Sequence, residues 1–319
     1  MTGTPVRVLG AAFFVVALTG RVLIPAGAPD ADRHLPPLLP LPRLADGDTI
    51  VLTDDLDVRV TLQEPASRIV SLVPAATEIL FAIGAGDRLV GRTRFDRHPQ
   101  EVLAVPSVGD GVRPSVELIV ALEPDLVILF AGPDSRRAAD ELRRIGVPVL
   151  AVRHNTLTDL YRNIGRLGQV TGSSGPSERL SATIREDLES VREATGRLLR
   201  RTVYYDAWWQ PPITIGRGSY LDSLITLAGG RNVFGDLQRP SPQVSLEAIA
   251  AREPEIILYP VHRGVEGRAP VSERPGWHIL EAVRSGRVRV FDGELVVRLG
   301  PQVAAAVREL ARAIHPGFE

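Results

Sequence analysis

Cysteine and lysine are both absent from the 319-residue sequence, so every one of its 37 basic residues is arginine. Without cysteine there are no disulfides, thiolate metal sites, thiol nucleophiles or lipid-modified cysteine anchors. Without lysine there is no Schiff-base or phosphate-loop amine, which removes several enzyme classes. Neither acids nor bases are in excess: the formal net charge of −1 leaves no basic footprint for nucleic acid. The six histidines show no H-x-H or H-E-x-x-H spacing, and no G-x-S-x-G elbow or glycine-rich phosphate loop is found. Neither a metal cluster nor a catalytic triad is indicated, and the reading is of a protein that is not an enzyme.

Val8 to Gly20 is an apolar run after a single arginine, the length of a secretory h-region and short for a membrane span. Ala26-Gly27-Ala28 offers a small-x-small cleavage pattern, with an unfavourable Pro29 after it. Residues 1–28 therefore read as a cleaved signal or a retained N-terminal anchor, and the protein as periplasmic or otherwise extracytoplasmic. Residues 29–48 hold prolines at 29, 36, 37, 40 and 42, a linker too proline-rich for a regular element.

"TIVLTDDLDVRVTL" (49–62) alternates apolar and polar residues on both sides of "DDLD", a β-hairpin pattern. From Ile69 onward "RLVGRT", "DLVILF" and "VPVLAV" are buried-strand runs separated by helical segments. This alternation predicts an α/β fold with a mainly parallel sheet covered on both faces. Residues 175–200 read as one long helix with Leu180, Ile184, Leu188, Val191 and Leu198 as its apolar stripe. The βα pattern restarts with "TVYYDAW", which divides the chain into a lobe at 49–174, a connecting helix and a lobe at 201–319.

An internal repeat supports that division. "SVELIVALEPDLVIL" from Ser115 and "SLEAIAAREPEIILY" from Ser245 share Ser, Glu, Ile, Ala and Pro at matching positions. Each copy reads as a Ser-capped helix with Glu in its first turn, stopped by Pro and feeding a strand. Glu117 and Glu247 are the repeated acids, and dipole compensation alone would account for both.

Two α/β lobes meeting along their loop edges form a cleft, and open sheets bind ligands beyond the carboxyl ends of their strands. Aromatics make up only 5% of the chain, yet Phe95, Phe130, Trp208 and Trp209 all fall just past strand ends. Either they pack loops over the core or they line the cleft. Two adjacent indoles cannot easily share one core, which favours the cleft for Trp208 and Trp209. Arg298, before the C-terminal helix, is either a donor to ligand oxygens or an ordinary surface arginine.

The motifs "RIVSLVPAATEILFAIGAGDRLVG", "SVELIVALEPDLVIL", "GGRNVFGD" and "PQVSLEAIAAREPEIIL" occur in that order. Together they resemble the iron-chelate and vitamin B12 periplasmic substrate-binding proteins of ABC importers, over about residue 49 to the C-terminus. The cobalamin-binding branch fits best, through Pro211-Pro212, Gly229 to Phe234 and Pro240 to Glu247. The resemblance implies two Rossmann-like lobes joined by a rigid helix, with a monomer clasping a corrinoid or other macrocycle between them and no resident cofactor. It implies ring contacts from Phe95 and Phe130, with Trp208 or Trp209 supplying a further surface from the other lobe; Pro74, Ala75 and Arg298 join them in the expected ligand-contact set by their place at the cleft. It further implies that Glu117 and Glu247 engage arginines of a permease dimer that works with ATPase subunits. The chain departs from the branch in three places. Ala75-Ala76 replaces a polar pair, Ser241 stands where an aromatic is usual, and the hairpin turn lacks glycine. Haem or a ferric siderophore stays open as the ligand, and so does a sensor that binds without transport.

Overall fold

The computed structural model describes residues 35–37, 49–112, 114–262 and 268–318. The expected signal or anchor, and the linker apart from residues 35–37, lie outside the described residues. Among the described residues no helix is long and apolar enough to cross a membrane.

β1 (Ile50–Thr53) and β2 (Arg59–Leu62) pair antiparallel, Ile50 opposite Leu62 and Thr53 opposite Arg59. Their turn manages without glycine because Asp57 itself takes the left-handed conformation, at φ 61°. The turn's first acid organises it: Asp54 Oδ1 accepts from the amides of Leu56 and Val58, both at 2.9 Å. Its other oxygen accepts from Arg143 and from the Ala151 amide, while Asp55 accepts from the Arg153 amide and pairs with Arg166. The acidic turn thus fastens the hairpin to the first lobe.

That lobe holds four parallel strands in the order β4 (Leu89–Gly91), β3 (Ile69–Ser71), β5 (Leu126–Phe130), β6 (Val149–Val152). The strands read as unbroken apolar runs because helices cover both faces. These helices are α1 (Pro74–Ala82), α2 (Val116–Val120), α3 (Pro133–Arg144) and α4 (Leu157–Val170). Pro74 opens α1 at a position where no amide is needed, turning the chain sharply from strand to helix.

α5 (Ser174–Gly196) has 23 residues, about 34 Å at the usual rise. It ends sooner than the periodicity suggested. Leu198 lies past its last turn and is 37% exposed, so the buried stripe comprises Ile184, Leu188 and Val191, flanked by Leu180.

The second lobe is a separate parallel sheet in the order β10 (Gly230–Asn232), β7 (Arg201–Tyr205), β11 (Ile256–Val261), β12 (Val288–Asp292). Its helices are α6 (Tyr220–Leu227), α7 (Leu246–Ala251), α8 (Glu281–Arg284), α9 (Gly293–Val296) and α10 (Val303–Ile314). A two-residue hairpin, β8 (Trp208–Trp209) with β9 (Pro212–Ile213), projects after β7. The fold is therefore α/β with two lobes of parallel sheet. α5 packs on α4 of the first lobe and on α6 and α10 of the second. One apolar cluster runs without a break from the first hairpin through α4 and α5 to α10. A shared core of this kind braces the lobes against large rotations.

Candidate functional site between the lobes

The carboxyl ends of β3, β4, β5 and β7 deliver Pro74, Phe95, Phe130 and the two tryptophans, while Arg298 follows α9. Pro74 is half-buried at the start of α1, and Ala75 behind it belongs to the apolar core. Phe95 is 38% exposed, with the Arg94 guanidinium 4.9 Å from its ring centroid. Phe130 ends β5 half-buried, and His154 meets it edge to face at 4.9 Å. Burial pushes the His154 imidazole down from its ordinary value, and its Nδ1 has no hydrogen-bond partner. In the second lobe Trp208 and Trp209 are both half-exposed on the hairpin, the Trp208 indole donating to the Gln210 carbonyl at 3.0 Å.

Arg298 is neither a free surface arginine nor an isolated cleft donor. Its Nε lies 2.6 Å from Glu78 Oε1, across the gap between lobes, and its Nη1 lies 3.6 Å from Glu294. Glu294 in turn faces His262 Nδ1 at 3.7 Å. Gly300 makes the approach possible, since a Cβ there would stand 3.0 Å from Glu78 Oε2. A second crossing joins Gln302 to His98, three residues beyond Phe95. The 298–302 segment therefore closes against α1 and against the loop that carries Phe95.

Glu78 is the only charged residue of α1, and its side chain is 6% exposed. Burial pushes its carboxyl up to about 7, with Asp96 nearby adding to the rise and Arg298 opposing it. Burial also raises the Asp96 carboxyl, against hydrogen bonds from Thr77 and Thr93 and the charge of Arg92. His262 is depressed by burial while Glu294 pulls the other way.

A further charged group sits at the end of β7. Asp206 is fully buried and holds Arg268 and Arg274, each guanidinium 2.7 Å from Oδ2. Neither this triad nor the Glu78–Arg298 pair was found by sequence reasoning. The available signal was a lone acid inside an apolar stretch, in "AATEILFA" and in "VYYDAWW".

The repeated acids occupy equivalent positions on opposite lobes. Ser115 caps α2 by accepting from the Leu118 amide, and Ser245 caps α7 by accepting from the Ala248 amide. Glu117 and Glu247 are exposed in the first turns, both held below the usual carboxylate range by their own amides and the capping hydroxyls. Among the described residues no group of acids and histidines is arranged to hold a metal ion.

Residues 69–295 match the periplasmic binding protein family over most of the chain. The chain belongs to that family. YvrC of Bacillus subtilis, an uncharacterized ABC transporter substrate-binding lipoprotein, is 31% identical over 274 residues, 84% of this chain and 86% of that protein. The periplasmic vitamin B12 binding protein BtuF of Vibrio cholerae superimposes with a TM-score of 0.67 at 26% identity, covering 78% of this chain and 97% of BtuF. The periplasmic haem-binding protein RhuT of Roseiflexus gives 0.71 at 27% identity, covering 80% of this chain and all of that one (100%). The family's relatives here are transport components rather than enzymes.

Proposed function

We propose that this periplasmic binding protein captures a corrinoid such as cobalamin between its lobes and delivers it to an ABC importer. The observation that carries this reading is the pair of half-exposed indoles on a short hairpin beyond β7, on the strand-end side where Phe95 and Phe130 stand in the other lobe. A corrin is a broad apolar disc with an amide rim. Flat aromatic walls bury its faces, and a few backbone or arginine donors meet its rim. Pro74, Ala75 and Arg298 complete the proposed contact set. Ala75 contributes backbone, since its methyl lies in the core, and Arg298 acts in company with Glu78.

Glu117 and Glu247 dock the two lobes onto arginines of the permease dimer. Their exposure, opposite placement and full ionisation at neutral pH suit that task. The working form is an extracytoplasmic monomer, released after signal cleavage or tethered by residues 1–28. Its parts are a lobe at 49–174, the connecting helix and a lobe at 201–319, so closure is a small movement about α5.

A haem ligand is the second reading. It is favoured by the neutral His154 beside Phe130, because an unprotonated imidazole can ligate iron. A thermal-shift screen with cyanocobalamin, cobinamide, haemin and ferric siderophores separates the two. Stabilisation by the cobalt corrinoids supports the proposal. Stabilisation by haemin alone, with a shifted Soret band, transfers the assignment to haem.

A further inference from the structure

The β8–β9 hairpin is too small to fix its own geometry. Its own ladder consists of two residue pairs, Trp208 opposite Ile213 and Trp209 opposite Pro212; β9 is held further by a bridge from Ile213 to Gln243 and by the Val244 amide donating to the Pro212 carbonyl at 3.0 Å, contacts that do not reach the indole rings. Something outside the ladder must hold the indoles if they are to form a ready-made wall.

Arg274 is placed to do so. It lies in the segment between β11 and α8, and its side chain is wholly enclosed, at 0% exposure. The guanidinium is 4.6 Å from the ring centroid of Trp277, 5.3 Å from Trp209 and 5.4 Å from Tyr259. Trp277 and Tyr259 belong to the interior of the second lobe, whereas Trp209 belongs to the half-exposed hairpin. Asp206 anchors the cation from beneath at 2.7 Å, and it already has a second arginine, Arg268, at the same distance. Two guanidiniums on one carboxylate leave a positive charge without a full counter-charge. Removed from water, that charge depends on the negative faces of the surrounding rings, where cation–π attraction is strongest.

We propose that Arg274 is a positioning residue for ligand binding: it holds the Trp209 indole in place as a preformed wall of the cleft. The proposal rests on the reading that the hairpin faces the ligand. A wall ordered in advance spares the loss of side-chain freedom on binding, so removing its anchor weakens binding without removing a contact. The expected loss is roughly three- to tenfold.

The test is a double-mutant cycle of Arg274→Met and Trp209→Leu, with cyanocobalamin titrated by calorimetry and haemin run in parallel. A second readout is acrylamide quenching of the ligand-free protein in a Trp208→Phe background. There Trp209 is the accessible indole, because Trp277 lies in the core. Arg274→Met should weaken binding by that factor, add nothing once Trp209 is leucine, and make Trp209 more readily quenched. Should Arg274→Met fold poorly, Arg274→Lys carries the same comparison with smaller shifts, keeping the charge and losing the flat guanidinium. Losses that add fully in the double variant, or quenching that does not change in a folded variant, overturn the proposal. If Trp209→Leu alone leaves binding of both probes untouched, the functional reading fails instead. The quenching result still decides whether Arg274 orders the indole.

Discussion

Replacing Glu78 with glutamine removes the ionisable half of the contact that spans the lobes. The Glu78 carboxyl rises from 4.5 to about 7, mainly because burial penalises its charge. A displacement of that size costs the charged form roughly 3 kcal/mol relative to water, even with Arg298 beside it. Because the folded value lies above the unfolded one, this group's stabilising contribution is fully present below about pH 4.5. It is lost as pH rises through about 7. Other groups also titrate: Asp96 is raised like Glu78, while buried His154 and His262 are depressed and act in the opposite sense. Subtraction removes the effects of the histidines, while Asp96, whose charge acts on Glu78, titrates together with it and belongs to the measured difference. Denaturant unfolding of wild type and Glu78→Gln between pH 5 and 8.5 should give a stability difference that shifts against the wild type by roughly 3 kcal/mol with rising pH. In the glutamine variant Arg298 can still donate to the amide oxygen at position 78, and its nearest carboxylate becomes Glu294 at 3.6 Å. A stability difference that stays constant across that range would refute the placement of Glu78 as a buried, destabilised carboxylate.

Substituting both Glu117 and Glu247 with alanine should abolish transport in a reconstituted importer while cyanocobalamin affinity stays unchanged, measured by uptake and calorimetry side by side. Asp54→Ala should destabilise the chain by about 3 kcal/mol in denaturant unfolding, because it removes the buried carboxylate that pairs closely with Arg143 and strips the hairpin turn of its acceptor. Leu188→Ala in the middle of α5 removes a fully buried side chain from the core shared by both lobes, at a cost of about 3 kcal/mol in the same assay.

The fold was legible in the sequence wherever a local pattern carried it. Strands such as "DLVILF" are uniformly apolar because both sheet faces are covered, and the paired Ser-x-Glu copies marked their caps directly. The end of α5 was misread because Leu198 continues the spacing, although the helix stops at Gly196. The placement of the aromatics after strand ends was legible in the sequence, and the charged contacts around them much less so. Arg298 looked like a lone donor because its partner Glu78 comes from the other lobe, and sequence spacing says nothing about pairs that meet only after folding. The same holds for Asp54 and Asp55, whose partners on α3, α4 and β6 come from distant parts of the sequence. Asp206, Arg268 and Arg274 are likewise assembled from separate strands and loops, around the rings of Trp209, Tyr259 and Trp277.

The proposal that the cleft takes a macrocycle is tested most directly by calorimetric titration of cyanocobalamin into wild type and a Trp208→Ala/Trp209→Ala variant. Binding at one site, micromolar or tighter in the wild type and at least tenfold weaker in the variant, is the predicted result. No heat in the wild type, or equal affinity in both proteins, would contradict the assignment of the indole hairpin as a corrinoid-binding wall.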